Sequence, residues 1–130
     1  KIKDYQKEYE KCKVNFFRAY RYAKELDNEM YVSLISNNIA EVYKKMNQPD
    51  SALIYYNESL SIHEKLGNSS NISMTTSNIG DVYVRLKQYE KANTYLQDGY
   101  KLAKQEDYIR ELGVNLFYQT KSYFEQKKGP

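Results

Sequence analysis

Large apolar residues recur along the chain at steps of three and four, the spacing that lines one face of a helix. Ile35, Ile39, Val42, Tyr43 and Met46 form one such stripe. A polar turn at Asn47 and Gln48 follows, and Pro49 suits the first turn of the next helix, where its missing N–H is not needed. That helix carries Ala52, Tyr55, Tyr56, Leu60, Ile62 and Leu66. Gly67 closes it, because glycine reaches the left-handed conformation of a helix end without strain. The same grammar returns in Ile79, Val82, Tyr83 and Leu86, a turn at Lys87 and Gln88, then Tyr89, Ala92, Tyr95, Leu96, Tyr100, Leu102 and Ala103. The pattern predicts an all-α chain of about six helices, at 4–26, 29–46, 49–66, 70–86, 89–106 and 109–127.

The second set of stripes copies the first at an offset of forty residues. SNNIAEVY at 36–43 is answered by TSNIGDVY at 76–83, and Leu26, Asn28 and Ser33 recur as Leu66, Asn68 and Ser73. YEKC at 9–12 precedes YEKA at 89–92 by eighty residues, which places Cys12 in the small, buried slot of Ala52 and Ala92. A period of this length built from paired helices signals a stacked array, in which each pair needs its neighbour to cover its apolar face. The last helix departs from the pattern. Gln119 stands where Ile39 and Ile79 do, Thr120 replaces the small residue, and only Tyr123 keeps its place. Phe117 and Phe124 fall outside the core stripe and form an apolar patch, expected to meet the next helix of a longer array in preference to a separate partner.

At these positions the chain resembles the tetratricopeptide repeats. That family's pattern asks for a large apolar residue, a small one after it, a tyrosine three further on, an alanine nine beyond and an aromatic close behind. Ile39, Ala40, Tyr43, Ala52 and Tyr56 match in order, and Ile79, Gly80, Tyr83, Ala92 and Leu96 match again. The forty-residue period is similar to the longer variety of the repeat, common in bacterial sensor and regulator proteins. The resemblance implies a right-handed superhelical stack of antiparallel helix pairs, with residues 1–130 a single array fragment. The chain begins at Lys1 rather than methionine, and both ends fall near turns inside repeats, so a longer parent protein is expected.

On the first helix of each pair a second stripe runs beside the core: Leu34, Asn38, Glu41 and Lys45, then Met74, Asn78, Asp81 and Arg85. The resemblance implies that first helices line a concave face that binds peptides, with Asn38 and Asn78 in the slot that contacts the peptide backbone. A carboxamide offers an acceptor and two donors, enough to pair with both groups of an extended peptide unit. The competing reading is that each asparagine satisfies a neighbouring helix. Glu41 with Lys45 and Asp81 with Arg85 are acid-to-base pairs at a spacing of four, worth about 0.2–0.5 kcal/mol each on a helix, or else charged walls that select ligand side chains. Lys121 and Glu125 reverse the order, so the groove has no uniform sign, and Lys45 with Arg85 alone falls short of the family's carboxylate clamp.

Composition narrows the alternatives. Lys and Arg total 20 against 17 Asp and Glu, interspersed in sign, which gives no footprint for nucleic acid or an anionic membrane. The apolar runs are too short to span a bilayer. One cysteine excludes an internal disulfide, and one histidine, His63, which reads as exposed, leaves little from which to build a metal site. Most of the fifteen tyrosines fall in repeat slots such as Tyr43, Tyr83 and Tyr123, where packing accounts for them. No phosphate loop, zinc motif or catalytic constellation survives the repeat explanation, so no cofactor and no enzymatic activity are expected. The expectation is a protein- or peptide-binding scaffold within a bacterial sensor, regulator or adaptor, with the cytoplasm favoured over the periplasm. The alternative is self-association of a transcriptional regulator or histidine kinase through apolar faces at the array ends, giving a homo-oligomer.

Overall fold

The computed structural model describes the backbone of residues 2–128 and the side chains of residues 5–128. Six helices build it: α1 (Ile2–Glu25), α2 (Glu29–Lys45), α3 (Pro49–Leu66), α4 (Ser69–Arg85), α5 (Tyr89–Glu106) and α6 (Ile109–Lys128), with no strand among the described residues.

All five connections close in the same way. Asp27, Asn47, Gly67, Lys87 and Asp107 take φ values of 56, 60, 69, 61 and 58°. At each, this residue's N–H bonds to a carbonyl three residues back and the next N–H to a carbonyl five back. Asn47 reaches Lys44 at 3.0 Å, for example, and Gln48 reaches Tyr43 at 2.9 Å. This is the Schellman closure, which satisfies carbonyls a helix end would otherwise leave open. Asn28 and Asn68 then cap the following helices, accepting from the Tyr31 and Asn71 N–H groups at 3.1 and 3.3 Å.

The chain divides into two compact units, Lys1–Ile62 and His63–Pro130, with the division inside α3. In the first, Ile39, Ala40 and Val42 of α2 and its C-cap Met46 are buried, as are Ala23 of α1 and Ala52 and Tyr56 of α3. The Ser59 hydroxyl donates to the Ser33 carbonyl at 2.9 Å, drawing α3 onto α2. Tyr43 stacks on Tyr55 with ring centroids 5.9 Å apart, and Phe17 and Tyr20 of α1 meet Tyr55 edge-on.

The second unit repeats these devices. Tyr83 stacks on Tyr95 at 5.5 Å, and the Ser73 hydroxyl donates to the Gly99 carbonyl at 3.1 Å. Helix α4 lies so close to α5 that a Cβ on Gly80 would stand 2.8 Å from the Leu96 side chain. Helix α6 packs on both, and its Asn115 is fully buried. The Asn115 amide donates to Ser77 Oγ at 2.7 Å and to the Leu96 carbonyl at 2.9 Å, while its carbonyl accepts from Gln119 at 2.7 Å.

Three expectations are corrected. Cys12 is exposed, because Ala52 and Ala92 owe their burial to a first helix preceding them, and none precedes α1 among the described residues. His63 is 2% exposed. It continues the α3 stripe Ala52, Tyr56, Ser59 in steps of four, three and four, and all four residues are buried. Tyr123 is mostly exposed, since among the described residues no ring stacks on it as Tyr55 stacks on Tyr43.

Candidate functional site

The stripe beside the core is open on α2 and closed on α4. On α2, Leu34, Asn38 and Lys45 are exposed. Glu41 is half-buried and tied down: it accepts from the Tyr56 hydroxyl at 2.7 Å and lies 3.9 Å from the Lys44 ammonium, so Lys44 rather than Lys45 is its basic neighbour. On α4, Met74 is half-buried and Arg85 exposed, but Asn78 and Asp81 are only 6% and 1% exposed.

Both are covered by α6. The Tyr118 hydroxyl donates to Asn78 Oδ1 at 2.8 Å, and the Lys121 ammonium stands 2.9 Å from Asp81 Oδ1. Arg85 approaches the same carboxylate at 3.7 Å. A carboxylate this deeply buried is tolerable because cations neutralise it. Tyr118 and Lys121 hold on α6 the repeat positions that Asn78 and Asp81 hold on α4. Lys121 also lies 5.6 Å from the Tyr118 ring, so the two covering side chains support one another. The forty-residue offset marks both positions in the sequence, but their role depends on α6 lying against α4, which no local pattern states.

A second polar centre, absent from the sequence reading, lies in the first unit. The Glu58 carboxylate accepts from the Tyr20 hydroxyl at 2.8 Å, the Lys24 ammonium at 3.1 Å and the Ser36 hydroxyl at 3.1 Å. Burial pushes the Glu58 pKa up, but the hydrogen bonds from Tyr20, Lys24 and Ser36 outweigh it and hold the group below its usual range. The same contacts act in reverse on the donors: burial and the bond to Glu58 raise the Tyr20 phenol, and the bond to Glu58 raises Lys24. Glu58 borders a surface cavity of about 340 Å³ shared with Lys24, Asn28, Glu29 and Ser61. Its partners come from α1 and α2, so the carboxylate pins α3 to both helices.

Among the described residues, no group of three or more His, Cys, Asp and Glu side chains could hold a metal ion, and no helix is long and apolar enough to cross a membrane.

A search of curated proteins returned no match. The family model described as Tetratricopeptide repeat matches residues 31–105, more than half of the chain. The matched span takes in both in-phase sets, Ile39 to Tyr56 and Ile79 to Leu96; Ala40 is buried, and Gly80 lies against Leu96 of the second helix of its pair. Repeats of this kind serve in general as scaffolds for protein–protein interaction. With the sequence pattern, the helix-pair packing and the family model in agreement, the chain belongs to the tetratricopeptide repeat family.

Proposed function

We propose that this chain is a non-enzymatic docking scaffold that holds an extended protein segment against its first helices. Asn38 is the primary grip on the ligand backbone, with Leu34, Lys45 and Glu41 selecting neighbouring side chains. On α4, Met74 and Arg85 stay accessible to a ligand, while Asn78 and Asp81 are engaged by Tyr118 and Lys121 and hold α6 in place. In this reading the two units are consecutive parts of one array within a larger sensor, regulator or adaptor protein.

The observation that supports it is the difference between two asparagines in one repeat slot. Asn38 is exposed with its carboxamide at the surface, whereas Asn78 is buried and already accepts from Tyr118. An exposed asparagine in the middle of a helix contributes little to helix stability, so its value lies in what it can bond. The test is selection of binders from a displayed library of random peptides. Selected peptides are expected to lose at least about tenfold in affinity, roughly 1.4 kcal/mol, on Asn38→Ala, while the circular dichroism spectrum is unchanged. Equal binding by the variant would overturn the assignment.

A further inference from the structure

The outward side of α6 carries five large apolar side chains that no other helix covers among the described residues, the Lys127 ammonium lying 5.2 Å from the Tyr123 ring. Ile109, Leu116, Phe117, Tyr123 and Phe124 are between 48 and 71% exposed. At 100° per residue they share one face with Gly113 and Thr120, opposite the side on which Asn115 and Tyr118 meet α5 and α4, with Lys121 at its edge. On α4 the corresponding face is the seat of α5, and it is built of small residues. A Cβ on Gly80 would come within 2.8 Å of Leu96, and one on Gly99 within 2.5 Å of Ser77 Oγ.

On α6 that seat is rebuilt with bulk. Leu116 replaces Thr76, Phe117 replaces Ser77, Thr120 replaces Gly80 and Phe124 replaces Val84. A helix could not come as close to this surface as α5 comes to α4 without forcing side chains off their rotamers. What the surface fits is a helix at the wider spacing of interlocking large side chains, about 8–10 Å between axes.

We propose that this face pairs with α6 of a second copy of the chain, antiparallel about a two-fold axis at Thr120. A two-fold contact must be self-complementary, residue i on j and j on i. About Thr120 the stripe has that property: Leu116 faces the partner's Phe124, Phe117 faces the partner's Tyr123, and Gly113, with open space at its Cβ position, faces the partner's Lys127. Aromatic residues thus meet aromatic or aliphatic ones, and the long lysine stem meets the residue with no side chain. The direction follows from charge. A parallel pair would set Lys127 and Lys128 of both copies side by side, and the antiparallel pair sends them to opposite ends.

The area is that of a weak contact. In this register Ile109 lies past the end of the partner's α6, so four side chains take part. At about 150–250 Å² for a buried aromatic side chain, their exposed parts come to roughly 450 Å² per copy. The pair would then bury about 900 Å², the size of a transient interface, which points to assembly in the upper micromolar range. The pairing uses α6 and leaves Asn38 free, so it stands or falls independently of the ligand proposal.

Sedimentation equilibrium of the whole chain from about 1 to about 200 μM should show the mass rising from 15.4 kDa toward twice that value. Phe117→Glu with Phe124→Glu should hold it at 15.4 kDa with helicity intact. In a Cys12→Ser background, Thr120→Cys should cross-link to itself on oxidation, whereas Phe124→Cys should not, because its position opposes Leu116. These two cysteine variants test the geometry even if the glutamate variant unfolds. A single 15.4 kDa species throughout, a dimer that survives the glutamates with helicity intact, or self-linking at 124 as ready as at 120 would overturn the proposal.

Discussion

The Tyr118 hydroxyl donates to Asn78 Oδ1 at 2.8 Å, and the two residues occupy the same repeat position forty residues apart. One first helix therefore satisfies the polar slot of the one before it, with a phenol where the earlier repeats keep a carboxamide. Tyr118→Phe retains the ring and removes the donor. A hydrogen bond of this kind contributes about 0.5–1.5 kcal/mol, so urea unfolding should show a loss of that size. In a double-mutant cycle with Asn78→Ala the coupling should recover most of it. Coupling indistinguishable from zero would mean that the bond is not formed in solution.

The five left-handed turn residues invite a paired experiment. Gly67 at φ 69° has nothing within 4 Å of its Cβ position, so Gly67→Ala tests backbone strain alone. It should destabilise the chain by about 1 kcal/mol. Lys87 at φ 61° is exposed and already bears that strain. Lys87→Gly should therefore stabilise by about 0.5–1 kcal/mol, the relieved strain exceeding the added freedom of the unfolded chain. Melting temperatures moving in opposite directions for the two variants would establish the common geometry.

The helices, their pairing and the repeat register were legible because each depends on local spacing: apolar steps of three and four, Pro49 at a start, Gly67 at an end. The turns at Asn47 and Lys87 were legible, but the left-handed closure at Asp27, Asn47, Lys87 and Asp107 was not: Asp and Asn only tolerate positive φ, and Lys87 adopts it under the pull of the helices it joins. His63 was misread although the register held the answer. Ala23, His63 and Ala103 stand forty residues apart in one slot, and all three are buried. The neighbouring charges Glu64 and Lys65 suggested a solvated face, but they lie on the other side of the helix. For the candidate site, spacing identified the stripe, while the closure of its α4 half depends on Tyr118 and Lys121 arriving from α6. The Glu58 centre was invisible for the same reason, since Tyr20, Lys24 and Ser36 come from two other helices.

Glu58 should make the chain acid-sensitive. Its pKa lies below the ordinary 4.5 in the folded state, so between that lowered value and 4.5 the unfolded chain takes up a proton that the folded chain refuses. The stabilisation is complete above about 4.5 and is lost as the pH falls through the folded value. Glu111, accepting from Ser70 and Arg110, is lowered in the same direction and adds to the slope. Glu58→Gln should flatten part of the acid limb of stability against pH, and Glu58→Gln with Glu111→Gln a larger part. An acid limb unchanged in the double variant would remove both carboxylates from the account.

His63 acts in a higher window. Its ring is 2% exposed, Nδ1 has no hydrogen-bond partner among the described residues, and burial lowers its pKa below 6.5. Desolvation penalises the charged imidazolium, and no carboxylate bond offsets it. As the pH falls below 6.5 the unfolded chain binds a proton at this position before the folded chain does, so stability declines toward the folded pKa and is flat above 6.5. Alanine is the natural replacement, since it fills the same slot at 23 and 103. His63→Ala leaves a cavity and lowers stability above pH 6.5 by about 1–3 kcal/mol, so the diagnostic is the slope just below pH 6.5 rather than the absolute value. The wild-type slope should be positive and should vanish in the variant, leaving the steeper carboxylate limb below it untouched. If the slope survived the substitution, His63 would not be the group that protonates on unfolding in that range.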